Sequence, residues 1–232
     1  MAGRSTPGSP ERAELPEHIL RFAGATRAFH WVHAVPFLFL LLTGLLLLVP
    51  EVKAVHVGGH RLVALLHVLA GIGLIGSVPL LYVLVRDRRA LHEDLRLALT
   101  PEPGDGAWAR YAVSAALGAK LPEPPSGKYN LGQKLSSAFW VAATAGLMAT
   151  GAVLAVNYFT KRVFSAAFVE QVFPWHDVLA FLSIPVLAAH LYLALVNPAT
   201  RPSLRGILTG RVDAAWARRH HARWAGDATR RG

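Results

Sequence analysis

Four stretches of this chain run for about twenty residues or more without a charged side chain, and that leaves few folds open to it. They cover about residues 28–49, 62–85, 135–159 and 178–196. A hydrocarbon layer of ~30 Å is crossed by roughly 20 apolar residues in a helix. Helix is the expected form, because an isolated apolar segment in lipid must satisfy its own backbone hydrogen bonds. The expected fold class is all-α: an integral membrane four-helix bundle, one domain over residues 1–232. A loop at about 86–134 and a tail at about 197–232 with an amphipathic helix lie outside the bilayer.

The charges fix the expected orientation. Of the 24 Lys and Arg, twenty fall in the N-terminal segment, the 86–134 loop and the tail. The other side holds only Lys53, Arg61, Lys161 and Arg162. Basic residues collect on the cytoplasmic side of short loops, so both termini are expected in the cytoplasm and the protein in the inner (cytoplasmic) membrane as a multi-pass chain. A net charge of +10 usually raises nucleic acid as a partner. Here the bases flank apolar spans, so topology and contact with membrane lipid explain them, and no nucleic-acid partner is expected. Met1 to Pro10 has no apolar stretch beside a cleavage site, so no removable leader is expected. Residues 15–27 read as an interfacial helix leading into the first span. A short amphipathic helix is expected near residues 108–117, in a loop punctuated by Pro101, Pro103, Pro122, Pro124 and Pro125.

No Cys is present, which excludes disulfides, cysteine-held iron–sulfur clusters and covalently attached haem. A redox group would have to be held by His, Met or non-covalent contacts. Four of the eleven His lie within or at the edge of spans: His30, His67, His176 and His190. An ionisable side chain at membrane depth is a functional candidate, and a neutral imidazole is a common axial ligand of haem iron. His176 and His190 are fourteen residues apart, nearly four helical turns, so they share a face and stand roughly 21 Å apart along the axis. Depth then pairs His67 with His176 in the outer half and His30 with His190 in the inner half. His33, one turn from His30, is an alternative inner ligand. His60 reads as solvated at the outer interface, His56 as part of a turn, and His18 and His92 as surface residues. His220 and His221 read as solvated in the basic tail. Copper or di-iron sites recruit further His or carboxylates, and only Asp177 adjoins a span His, which favours haem. The glycines of the spans, among them Gly44, Gly71, Gly146 and Gly151, read as sites of close helix packing. No internal repeat is evident.

Several motifs converge on one family. Span one carries Arg27-Ala-Phe-His30-Trp31 and then Leu42-Thr43-Gly44-Leu45. Span two carries His60-Arg61 and, six residues after Arg61, His67 followed by Gly71. Lys128-Tyr129-Asn130-Leu131-Gly132-Gln133-Lys134 precedes span three. Ser203-Leu204-Arg205-Gly206-Ile207 and a Trp216-x-x-x-His220-His221-x-x-Trp224 run follow span four. From about Arg21 to Gly226 the chain resembles the cytochrome b (gamma) subunit of membrane-bound respiratory formate dehydrogenase. The first two motifs are shared with cytochrome b subunits of hydrogenases and related oxidoreductases.

The resemblance implies two haem b, with His30, His67, His176 and His190 as iron ligands in the pairing that depth also gives. It favours His30 over His33. It implies a menaquinone or ubiquinone site at Asn130, Gly132 and Gln133 beside His190, although Asn and Gly there equally suit a helix N-cap. It implies an iron–sulfur subunit as electron donor and a molybdenum or tungsten catalytic subunit that oxidises formate, so this chain would transfer electrons and reduce quinone without a formate-oxidising residue of its own. Arg27 and Arg61 suit either haem propionates or interfacial anchoring. The same scaffold serving a hydrogenase or a sulfur-compound reductase, or a haem-free membrane anchor, are the competing readings.

Overall fold

A computed structural model describes residues 17–160 and 163–231. Arg4, Arg12, Lys161 and Arg162, the side chains of Arg230 and Arg231, and the first two residues of the expected interfacial helix lie outside the described residues.

The chain opens with a short strand, β1 (His18–Leu20), and then the long helix α1 (Gly24–Leu46). A single-turn helix, α2 (Pro50–Lys53), leads to a small hairpin of β2 (His56–Val57) and β3 (His60–Arg61). Gly58 and Gly59 make its turn with φ of 56° and 80°. Two consecutive positive φ values are what a type I′ hairpin loop requires, and glycine adopts them without a Cβ penalty. The second long helix is α3 (Leu62–Leu84), followed by α4 (Arg88–Leu99) and α5 (Asp105–Ala116). The remaining long helices are α6 (Leu131–Thr160) and α7 (Ala166–Leu191), which continues through a π turn at Tyr192–Val196. The chain closes with α8 (Leu204–Thr209), β4 (Arg211–Asp213), α9 (Ala214–His220) and α10 (Ala222–Arg231).

Four helices are long and apolar enough to cross a membrane: Gly24–Leu46, Leu62–Leu84, Leu131–Thr160 and Ala166–Val196. This is the expected all-α architecture, with shifted ends. The first span begins four residues earlier than its apolar run, where Thr26 and Arg27 find partners outside the four long helices: Thr26 donates to Asp94 at 2.6 Å, and Arg27 to the carbonyls of Ile207 and Leu208. The fourth helix begins twelve residues before its apolar run, so His176 stands inside a helix instead of at its edge. Packing is strongest within two hairpins, α1 on α3 and α6 on α7, with α3 against α6 joining them.

The one cluster of buried apolar residues among those described lies outside the spans. Ile19, Val212, Ala214, Trp216, Ala217 and Ala225 form it. Its frame is the antiparallel pair β1–β4, which joins Ile19 to Val212. The expected interfacial helix at 15–27 is therefore corrected: His18–Leu20 is a strand bound to the tail, and helix begins at Gly24. The tail folds back as a cap on the 86–134 loop, and His221, at 2 % exposure, is in its interior.

Candidate redox site in the bundle and its cap

The four span histidines meet in two couples, each drawn from two helices. His30 of α1 and His190 of α7 have ring centres 6.4 Å apart. His67 of α3 and His176 of α7 have ring centres 6.3 Å apart. His190 is the most open of the four; the other three are half-buried. The ring facing His190 is that of His30. The His33 ring turns to α6 instead, with its Nε2 2.9 Å from Thr144 Oγ1, and stacks on Phe37.

The His67–His176 couple carries a matched pair of hydroxyls. His67 Nδ1 lies 2.9 Å from Thr43 Oγ1, and His176 Nδ1 lies 2.8 Å from Thr150 Oγ1. Each hydroxyl also donates to its own helix backbone, Thr43 to Phe39 and Leu40, Thr150 to Gly146 and Leu147. Each threonine precedes a glycine whose missing Cβ faces the same imidazole. A Cβ would lie 3.5 Å from His67 Cε1 at Gly44 and 3.4 Å from His176 Cε1 at Gly151. Gly146 is different: a Cβ there would come within 2.6 Å of Leu179, so it sets the approach of α6 to α7, the packing role expected of span glycines.

At the N-terminal end of α6, Asn130 and Gln133 form a reciprocal cap. The Asn130 amide N–H donates to Gln133 Oε1 at 3.0 Å, and the Gln133 N–H donates to Asn130 Oδ1 at 2.9 Å. This is the capping-box geometry, which satisfies helix-end donors from both directions. Both side-chain oxygens are thereby used as acceptors, so both NH2 groups are left as donors. Asn130 and Gln133 line a cavity of about 220 Å³ together with Trp108, Glu123, Trp216 and His220. Trp108 Nε1 is buried with no hydrogen-bond partner among the described residues. Gly132 has a steric reason of its own, because a Cβ would lie 2.7 Å from the Trp108 ring.

The profile of the family described as prokaryotic cytochrome b561 matches residues 21–210. The chain belongs to that family. It is similar to the formate dehydrogenase cytochrome b556 subunit of Haemophilus influenzae, with 28% identity over 89% of this chain and 82% of the relative. It is also similar to the cytochrome b556(Fdn) subunit of the nitrate-inducible formate dehydrogenase of Escherichia coli K12, with 27% identity over 89% of each chain. The cytochrome b556(fdo) subunit of the same organism is 26% identical over 89% of this chain and 91% of its own length.

As a prokaryotic cytochrome b561, the chain is a multi-pass membrane protein of electron transport, and the family implies haem b. The donor sets fit such a group. Metal–imidazole bonds of roughly 2 Å on either side of one ion hold ring centres roughly 6 Å apart, as in both couples. Among the described residues no cluster of three or more His, Cys, Asp or Glu competes as a metal site.

Two readings of the tail histidines are corrected. His221 is not solvated: its Nδ1 lies 2.9 Å from the Gly127 carbonyl and its ring lies against Trp216 and Trp224. His220 pairs with Glu123 at 2.9 Å. Arg21, one of the twenty bases of the charge pattern, is fully buried with its guanidinium 5.3 Å from both the Trp216 and Trp224 rings. Its Nη2 donates to the Lys128 carbonyl at 2.8 Å, and Lys128 itself is ion-paired with Asp94. Lys134 is buried too, paired with Asp105 at 2.9 Å and Glu102 at 3.5 Å. Arg27 holds the α8 carbonyls, which gives it an anchoring role. His18 is half-buried on Arg205, whereas His60 and His92 are exposed as expected. The signal for the cap was the aromatic spacing 216, 220, 221 and 224, which puts four rings on one short stretch that a solvated tail has no use for.

Proposed function

We propose that this chain is the membrane cytochrome b subunit of a respiratory formate dehydrogenase, carrying electrons from an iron–sulfur subunit through two b haems to menaquinone or ubiquinone. The observation that carries the proposal is the meeting of two imidazole couples at a bis-histidine spacing, roughly 21 Å apart along α7. Haem b, when bound between such imidazoles, supplies a one-electron iron couple. His67 and His176 would hold the outer group, His30 and His190 the inner one. The names of the relatives support formate dehydrogenase as the parent complex, and a molybdenum or tungsten subunit is then the site of formate oxidation.

The cytoplasmic cap supports the quinone end. A quinone being reduced needs hydrogen-bond donors at its carbonyls and a supply of protons. The NH2 groups of Asn130 and Gln133, oriented by the capping box, can donate to a carbonyl oxygen in the cavity. The pair His220 Nδ1–Glu123 Oε2 lines the same cavity, half-exposed, where it can hold a proton and pass it inward. The distribution of twenty bases against four supports cytoplasmic termini in the inner membrane. Electron entry outside and proton uptake inside would then build membrane potential.

The test is quinone reduction by the purified complex with formate or hydrogen as donor. Formate-driven reduction is the expected result. Reduction driven by hydrogen and not by formate would assign the chain to a hydrogenase.

A further inference from the structure

The two outer imidazoles share a feature that pairing alone does not require. Thr43 on α1 and Thr150 on α6 each place Oγ1 within 2.9 Å of a ring Nδ1. A threonine in a membrane helix commonly donates back to the carbonyl three or four residues earlier, and both do so. A hydroxyl has one proton. With that proton committed to the backbone, the contact with the ring must run the other way, from imidazole Nδ1–H to the hydroxyl oxygen. Both rings are therefore held as the Nδ1–H tautomer, and Nε2 keeps its free lone pair.

The arrangement occurs twice, once in each hairpin, at Thr43-Gly44 and at Thr150-Gly151. The inner couple lacks it: among the described residues neither the His30 nor the His190 ring has a hydrogen bond, and Thr144 is taken by His33. Donation from the far nitrogen makes an imidazole a stronger base toward a metal, and a more basic ligand favours the more oxidised ion. A hydroxyl that is itself donating is polarised into a better acceptor.

We infer that Thr43 and Thr150 are positioning residues that fix the tautomer of His67 and His176 and hold the outer iron at a lower reduction potential than the inner iron, so that electrons run inward. The inference rests on the ligand assignment proposed above. It adds a cause for the direction of flow, located in two side chains that touch neither iron nor quinone.

The experiment is an optical redox titration of the intact purified complex carrying T43V, T150V, T43S or T150S. Valine keeps the shape and removes the acceptor; serine restores the acceptor. The lower-potential b component should move up in each valine variant, further in the double variant, and return toward the parent value with serine. The higher-potential component should stay in place. Loss of the outer component in valine but not serine variants would support the positioning role equally. Unmoved potentials, movement of the higher component alone, or serine variants behaving like valine would overturn the inference. Failure of the underlying assignment reads differently: H67A and H176A would then keep both b components.

Discussion

His221 Nδ1 rests 2.9 Å from the carbonyl oxygen of Gly127, ninety-four positions earlier in the chain. That contact ties the tail to the segment leading into α6, and it is made in full burial. Burial first, and the nearby charge of Arg21 second, push the His221 pKa down to about 3, although the Gly127 contact works against them. The folded ring is neutral near pH 7. In the unfolded chain the same group titrates near 6.5. Below that pH the unfolded state takes up a proton that the folded cap does not, so cap stability is full above about 6.5 and falls as the pH drops toward 3. The loss at pH 5 is on the order of 2 kcal/mol. Amide exchange in α9 and α10 should quicken between pH 7.5 and 5 in the parent protein and change much less in H221Q.

Arg21 gives a related prediction. Burial lowers its pKa to about 10, with Tyr129 and Asp94 opposing. Its Nε and Nη1 have no hydrogen-bond partner among the described residues. A buried charge with incomplete partners can be replaced by an apolar side chain of similar length at little or no loss. R21M should therefore leave the thermal midpoint of the protein nearly unchanged, whereas R21A, which opens a cavity between Trp216 and Trp224, should lower stability by about 2–4 kcal/mol. R21M should also make the cap less sensitive to acid, since removing the second cause of the His221 depression brings the folded pKa closer to 6.5 and ends the loss of stability at a higher pH.

Asn130 can be dissected because its oxygen and its NH2 have separate partners. In N130D the carboxylate still accepts the Gln133 N–H and sits well at a helix N-terminus, so the fold should be retained. The donor toward the cavity is gone, so KM for quinone should rise about tenfold, the effect of losing one hydrogen bond of about 1.4 kcal/mol. N130A should show that defect and also lose about 1 kcal/mol of stability. Equal quinone kinetics in N130D and the parent protein would remove Asn130 from the quinone site.

Gly132 should not tolerate a side chain. G132A puts a methyl against the Trp108 ring and should cost about 1–3 kcal/mol of stability. Adding W108F, with its smaller ring, should recover most of that loss in thermal melts.

The spans were legible because lipid imposes a single requirement, a long uncharged run, and Leu62–Leu84 meets it almost residue for residue. The start of α7 was not, because hydropathy marks the bilayer and not the helix. Glu170, Pro174 and Asp177 interrupt the apolar pattern while the helix runs on through them. The His couples followed from helix direction and depth, which need no side-chain detail. The cap escaped sequence reading because its strands are three residues each and pair across almost the whole chain, leaving no local period. Arg21 looked like one more basic residue of the cytoplasmic side; only the convergence of Trp216 and Trp224 on it shows a different role. Thr43 stands in one of the motifs that carry the resemblance and Thr150 in none, but the contact of either hydroxyl with an imidazole is hidden until the partner helix is in place.

The central claim is that two imidazole couples each hold one b haem. The most direct test is haem content per chain, read from pyridine haemochrome and low-spin EPR, in the parent complex and in four single replacements. The account predicts two haems in the parent, one in H67A and the same one in H176A, and the other one in H30A and in H190A. Two haems surviving in H176A or H190A, or a cross-paired loss in which H67A and H190A remove the same haem, would contradict it.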